Sequence, residues 1–263
     1  MGNFYDMILL NVDIFLLILV RISGIFIFAP VFSRNNLPMI MKIGLSFLIS
    51  LILLPIVPEV SLIQSSNLYQ LLFNILKEFS LGLIIGFICF LYFSVLYLAG
   101  MIVDTQIGFG MVNVMDPLTH SQMPIMGNFY SVLITLIFLA VNGHHLILKG
   151  LAYSFEIIPL GYSYVINLSF ITRLTNLMAE IFILAFRFGA PVLISIFLVN
   201  LLLGILARTM PQMNVFIVGL PLKILIGFLT ISITLRFIVP FSEGMFDRMF
   251  TTLHEFMQIL ARG

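Results

Sequence analysis

Asp13, Arg21, Glu180, Arg187, Lys223 and Arg236 each stand inside a long apolar run, and they are the first residues that could do chemistry. A charge at membrane depth is costly and faces protein or water rather than lipid. Two readings follow. The charges form a proton or ion relay, or they pair across boundaries between subunits. Asp13 and Arg21 lie about 80° apart around a helix, so they can share an interior without pairing directly. Glu180 and Arg187 fall on nearly the same helix face, about two turns apart. His144-His145 invites a metal or hydrolase reading. Adjacent side chains on a helix diverge by about 100°, so the two do not share a ligand site. The sequence contains no H-E-x-x-H, no cysteine cluster, no G-x-S-x-G and no G-x-x-x-x-G-K-[ST]. No enzyme, no ATPase and no cofactor is expected, and Asn142-Gly143-His144-His145 reads as a helix end.

The second unusual stretch runs Gly108-Phe109-Gly110-Met111-Val112-Asn113-Val114-Met115-Asp116-Pro117. Two glycines flank a Phe, bulky apolar residues follow at Met111, Val112 and Met115, and Asp116-Pro117 stops the pattern. Glycine opens backbone conformations closed to other residues, and Pro disfavours helix just before it. The expectation is irregular apolar backbone at or near membrane depth. Such backbone is tolerated inside protein or along a water-filled cavity. It is either a tight interhelical turn or a plug lining a path.

The elements that must position these residues are membrane helices. The chain has 263 residues, of which 61% are hydrophobic and 9% charged, with a mean hydropathy of +1.20. A soluble domain carries about 25% charge. A net charge of +1 offers no basic footprint for nucleic acid. The single cysteine, Cys89, precludes an internal disulfide. Asp6 and Asp13 stand where a signal peptide would be basic, so the N-terminal run is expected to be retained. Apolar runs near 12–32, 39–57, 79–103, 127–148, 176–207 and 215–240 approach the length of about 20 residues that a span needs. The fold class is therefore all-α and polytopic, with about six long apolar helices, some broken or kinked. The third helix is allowed to begin as early as Leu68, and Pro191 is expected to kink the fifth or open its ladder. Met245, Met249, Leu253, Phe256 and Leu260 recur at helical spacing in an amphipathic tail over 242–262.

Lys and Arg in short loops orient the chain. Arg34 and Lys42 mark the first loop as cytoplasmic, Arg208 marks the turn 207–214, and both termini then face outward. The segment 104–126 holds Asp104 and Asp116 but no Lys or Arg. That weak bias suits a re-entrant or protein-enclosed loop.

At these residues the chain resembles the FliR/SctT family of type III secretion export gates. The resemblance rests on Arg21, Ala29-Pro30, Gly108-Phe109-Gly110-Met111 with Asp116-Pro117, and Asn142-Gly143-His144. It continues through Ser154-Phe155, Pro159-Leu160-Gly161, Ala190-Pro191, Asn200, Leu203-Gly204, and Arg208 with Pro211-Gln212-Met213-Asn214-Val215-Phe216. The resemblance implies a non-enzymatic subunit of the flagellar protein export gate. Such a subunit assembles with FliP and FliQ into a channel for unfolded exported proteins, with FlhB at the cytoplasmic entrance and FlhA nearby. It implies a FliP-like part over 1–165, holding a plug loop at about 104–126, and a FliQ-like hairpin with an amphipathic C-terminal helix over 166–263. The plug residues are Gly108, Phe109, Gly110, Met111, Val112, Met115, Asp116 and Pro117. Asp13, Arg21, Glu180 and Arg187 become interface charges, and Arg208, Pro211 and Gln212 a cytoplasmic contact turn. The implied site is the bacterial inner membrane, in the flagellar basal body, with the assembly displaced toward the periplasm. The alternative is a secondary, ion- or proton-coupled transporter, which would usually show matched broken helices in two repeats. Here the prolines, Pro191 and Pro221, both come late.

Overall fold

The structure, a computed structural model, describes residues 2–30, 38–57, 68–109, 124–212 and 214–262. These residues form helices α1 (Gly2–Phe28), α2 (Met39–Leu53), α3 (Leu68–Ile107), α4 (Ile125–Ala140) and α5 (Gly143–Ile157). Then come α6 (Leu168–Thr209), α7 (Val215–Thr234), a 3-10 turn (Leu235–Phe237) and α8 (Ile238–Arg262). No strand occurs among the described residues.

Local chemistry sets most of the boundaries. Ala29-Pro30 follows the end of α1, Pro38 precedes α2, and Pro55 lies in the turn after it. The Asn167 side chain accepts from the Phe170 N–H at 2.9 Å and caps α6. Asn214 does the same for α7, accepting from Phe216 N at 3.1 Å and Ile217 N at 3.4 Å. The apolar run over 127–148 is divided between two helices, because Asn142 adopts a left-handed φ of 56° and bends the α4–α5 pair by 72°. Asn tolerates that conformation better than most residues. The third helix does begin at Leu68 and runs 40 residues. Helix α6 is assigned unbroken through Pro191, which removes the donor for the Arg187 carbonyl.

By length and composition among the described residues, three helices are fit to cross a membrane, or four if the bent pair makes one span. Helix α2, at 15 residues, is short for a crossing. The most apolar stretch of α3 is 61% buried within the chain, against 22% for α6 and 17% for Val215–Arg262. Helix α3 is thus clothed by its own chain, while α6 and α7 show apolar surface outward.

The chain forms two compact units. One comprises Met1–Tyr92, Leu139–Asn176 and Phe246–Gly263, and the other Phe93–Phe138 and Leu177–Met245. In the first, α1 contributes a buried stripe of Ile14, Leu17, Ile18, Arg21, Ile22 and Ile25. The tail helix adds Met249, Leu253, Phe256, Met257 and Leu260, all buried. The periodicity expected for an amphipathic tail is therefore present. Backbones of α1 and α3 meet without side chains between them. A Cβ built on Gly82 would stand 2.1 Å from the Arg21 carbonyl oxygen. Because the obstacle is backbone, it cannot turn aside as a side chain would. Gly82→Val should cost at least about 3 kcal/mol and deplete the protein from membranes, as read by its steady-state level and thermal unfolding in detergent. In the second unit, Ala99, Val103 and Ile107 of α3, Ile134 and Phe138 of α4 and Ile196 of α6 are all buried.

Candidate functional site

The end of α3 and the start of α4 frame the stretch that the sequence singles out. Gly108 has a φ of +99°, a region that side chains strain to reach, and a Cβ there would stand 3.0 Å from Leu220 Cδ1 of α7. The N–H groups of Gly108 and Phe109 both donate to the Asp104 carbonyl at 3.1 Å. The Phe109 ring meets Phe228 of α7 edge-on, with centroids 6.0 Å apart. Gly110, Met111, Val112, Met115, Asp116 and Pro117 lie outside the described residues.

On the far side of the loop, Pro124 occupies the N-cap position of α4 and has no side-chain acceptor to offer. The Asp104 carboxylate caps the helix instead. The Met126 N–H donates to both of its oxygens, at 3.1 and 3.0 Å, and the Gly127 N–H to one, at 3.4 Å. A carboxylate against orphan N–H groups at a helix N-terminus is favoured by both hydrogen bonding and the helix dipole. The close crossing of α3 and α4 makes this reach possible. A Cβ on Gly100, one turn before Asp104, would fall 2.4 Å from the Gly127 backbone.

The first unit holds a buried polar knot. Arg21 is 0% exposed and Glu78 1%. Arg21 Nε donates to Glu78 Oε2 at 2.6 Å. Its Nη1 donates to the Ser154 carbonyl at 3.1 Å and to Ser154 Oγ at 3.3 Å, and its Nη2 to the Ile158 carbonyl at 3.0 Å. The guanidinium also lies 4.2 Å from the Phe155 ring centroid. Glu78 Oε1 accepts the Gly161 N–H at 3.1 Å. Arg21, Ser154-Phe155 and Gly161, distant in sequence, are thereby joined at one buried ion pair. The segment after α5 is strapped further. The Tyr164 hydroxyl donates to the Lys77 carbonyl at 3.0 Å, Lys77 Nζ to Ser163 Oγ at 3.2 Å, and the Tyr162 hydroxyl to the Ala261 carbonyl at 2.9 Å. Burial holds the Tyr164 hydroxyl above its usual pKa, so it stays a donor.

The other singled-out residues are dispersed. Asp13 is half-buried, whereas Glu180 and Arg187 are exposed on α6 among exposed Phe182, Ile183 and Phe186. Arg208, Pro211 and Gln212 are exposed in the turn between α6 and α7. A cleft of about 540 Å³ is lined by Gly108, Asn200, Gly204, Phe216 and Lys223, among others. His144 and His145, expected to diverge, have ring centroids 4.3 Å apart. A 100° separation at one helix turn still leaves two rings within contact. Among the described residues no group of three or more His, Cys, Asp or Glu is placed to hold a metal ion.

Sequence reasoning passed over Glu78 and used Asp104 only for its loop charge. The signal for Glu78 was in the register. Glu78, Leu81, Ile85, Ile88 and Tyr92 form one buried stripe at intervals of three and four residues. A carboxylate in that stripe requires a buried partner.

Residues 12–249 match the family described as bacterial export proteins, family 1. The chain is 36% identical over 252 residues to the flagellar biosynthetic protein FliR of Bacillus subtilis (strain 168), covering 94% of this chain and 95% of that protein. It is 27% identical to FliR of Escherichia coli (strain K12), with 92% of each chain covered. It is also 30% identical to the surface presentation of antigens protein SpaR of Shigella flexneri, covering 85% of this chain and 87% of SpaR.

Proposed function

The chain belongs to family 1 of the bacterial export proteins, the FliR and SpaR family, and from that premise we propose that it is the gate-forming subunit of a flagellar protein export channel. Its family makes it a non-enzymatic membrane component of a flagellar or type III export apparatus. Beyond that, the reading is that it joins FliP and FliQ homologues around a path for unfolded exported proteins. FlhB and FlhA homologues contact it from the cytoplasm. The parts are a FliP-like region over 1–165 and a FliQ-like hairpin with its C-terminal helix over 166–263. The complex sits in the inner membrane at the basal body, displaced toward the periplasm.

The observation that carries the reading is the foot of the 108–117 stretch. Gly108 takes a conformation suited to glycine, and Phe109 is docked on Phe228. An apolar constriction can gate by dewetting, without a charged ring. The outward apolar faces of α6 and α7 support burial against partner subunits as well as lipid. Exposed Glu180 and Arg187 then serve as interface charges, with Asp13, in preference to a proton relay, whereas Arg21, expected among them, is buried and paired with Glu78 of its own chain.

Co-expression tests the assembly. The full chain should be unstable alone and should purify in a detergent-stable complex with FliP and FliQ homologues. In that complex, cysteines at Thr209 or Gln212 should react with a reagent confined to the cytoplasm and crosslink to the FlhB homologue. Labelling from the periplasmic side alone would overturn the orientation and the contact.

A further inference from the structure

We propose that an anionic phospholipid occupies the cleft between the end of α3, the last turns of α6 and the first half of α7. Its phosphate stands against Lys223 and an acyl chain lies along the apolar walls. The cleft has a volume of about 540 Å³, within the range of about 300–1,000 Å³ common to ligand sites. All of its lining residues belong to the second unit. Leu203 of α6 and Gly219 of α7 are buried, and a Cβ on Gly219 would stand 3.0 Å from Leu203 Cδ1. A Cβ added to Gly204 would meet nothing within 4 Å, so α6 leaves open space there.

Charge and depth select the occupant. Lys223 is the one charged residue lining the cleft among the described residues. The sequence over 200–226 contains no Asp or Glu. On the α3 side, Asp104 is 5% exposed, and its carboxylate is taken by the Met126 and Gly127 N–H groups. The cleft therefore favours an occupant that brings a negative charge, while Leu203, Val215, Phe216 and Leu220 favour an apolar one. A phospholipid carries both. Lys223 lies eight residues into α7 from Val215, about 12 Å from the turn. Exposed Arg208 and Gln212 mark that turn as the aqueous end of the hairpin. A half-buried lysine at that depth lays its stem along apolar surface and sends its ammonium toward the headgroups. Phosphates already stand there, whereas a partner helix would have to bury a carboxylate of its own at the same depth. Exposed Phe197, Leu201 and Ile205 of α6 and Ile217 of α7 leave the hairpin open to acyl chains. Basic pockets between membrane helices bind anionic headgroups by this chemistry. The assignment needs the hairpin to lie in a membrane but needs no gate.

The test uses the full chain in its complex with partner homologues, reconstituted in bilayer discs of equimolar phosphatidylglycerol and phosphatidylcholine. A photoreactive phenylalanine analogue replaces Phe216, which lines the cleft and is 65% exposed. Mass spectrometry identifies what it captures. Phosphatidylglycerol adducts should exceed phosphatidylcholine adducts about fivefold. Lys223→Gln should remove that preference, and Lys223→Arg should keep most of it. Gly204→Phe should fill the cleft and suppress both adducts; if that variant fails to assemble, the two Lys223 variants decide. Equal capture of the two lipids by the parent, or a preference that survives Lys223→Gln, would overturn the site. So would capture of a partner subunit, or of another segment of this chain, in place of lipid. Assembly is read separately on a native gel, so a failure of the export reading is distinguishable from a failure of the lipid site.

Discussion

Deleting residues 108–112, or exchanging Phe109 and Met111 together for Gly or Ser, should leave the export complex assembled but leaky to ions and small solutes. Phe and Met exclude water without demanding a fixed partner, and Met adapts its shape to whatever passes. The left-handed Gly108 lets the chain leave α3 sharply, and the deletion removes the Phe109 contact with Phe228 but none of the buried residues Val103 and Ile107 of α3, Ile196 of α6 and Ile231 of α7. The leak should appear as growth failure in high salt and as ion flux, with a normal native-gel pattern. Phe73→Ala supplies the control, because Phe73 is an exposed ring on α3, far in sequence from the loop and beneath the Lys77 ammonium. A tight, fully assembled deletion complex would return the stretch to an ordinary turn.

The second large effect is expected at the buried knot. Arg21→Met leaves the Glu78 carboxylate buried without its cation, at a cost of about 3–5 kcal/mol. Glu78→Gln strands the guanidinium and should cost a similar amount. Both variants should lower the unfolding temperature of the complex and its yield from membranes. The double replacement, Arg21→Met with Glu78→Gln, should cost less than the two single costs together by at least about 1 kcal/mol, because neither buried charge is then left alone. Recovery stays incomplete, since the Ser154 and Ile158 carbonyls have lost their donors. Strict additivity would mean that the two groups act independently, despite their 2.6 Å contact.

The two effects separate what local sequence encodes from what packing encodes. Helix starts at Asn167 and Asn214, the turn at Asn142, the breaks at Pro30 and Pro55 and the stripe of the tail helix are all short-range matters. Each depends on a side chain reaching its own backbone, on a restricted φ, or on a period of 3.6 residues; the tail stripe and the helix end at Asn142 are among the sequence expectations, whereas the cap at Asn167 is not, since hydropathy alone starts that run near 176. The membrane class followed from hydropathy, and the unusual character of 108–117 followed from its glycines and bulky apolar residues. The partners of the buried charges were not legible. Arg21 finds Glu78 across 57 residues of sequence, and Asp104 finds Met126 across 22. No periodicity says which of several intramembrane charges meet. That depends on where glycines let two backbones touch, at Gly82 against Arg21 and at Gly100 against Gly127, and on which helix face the crossing then turns inward. The sequence alone determined a membrane helix protein of a recognisable family. The tertiary structure decided that Arg21 is satisfied within its own chain and that the Asp104 carboxylate caps α4, because a buried charge is settled only by the donors and acceptors that packing brings within reach.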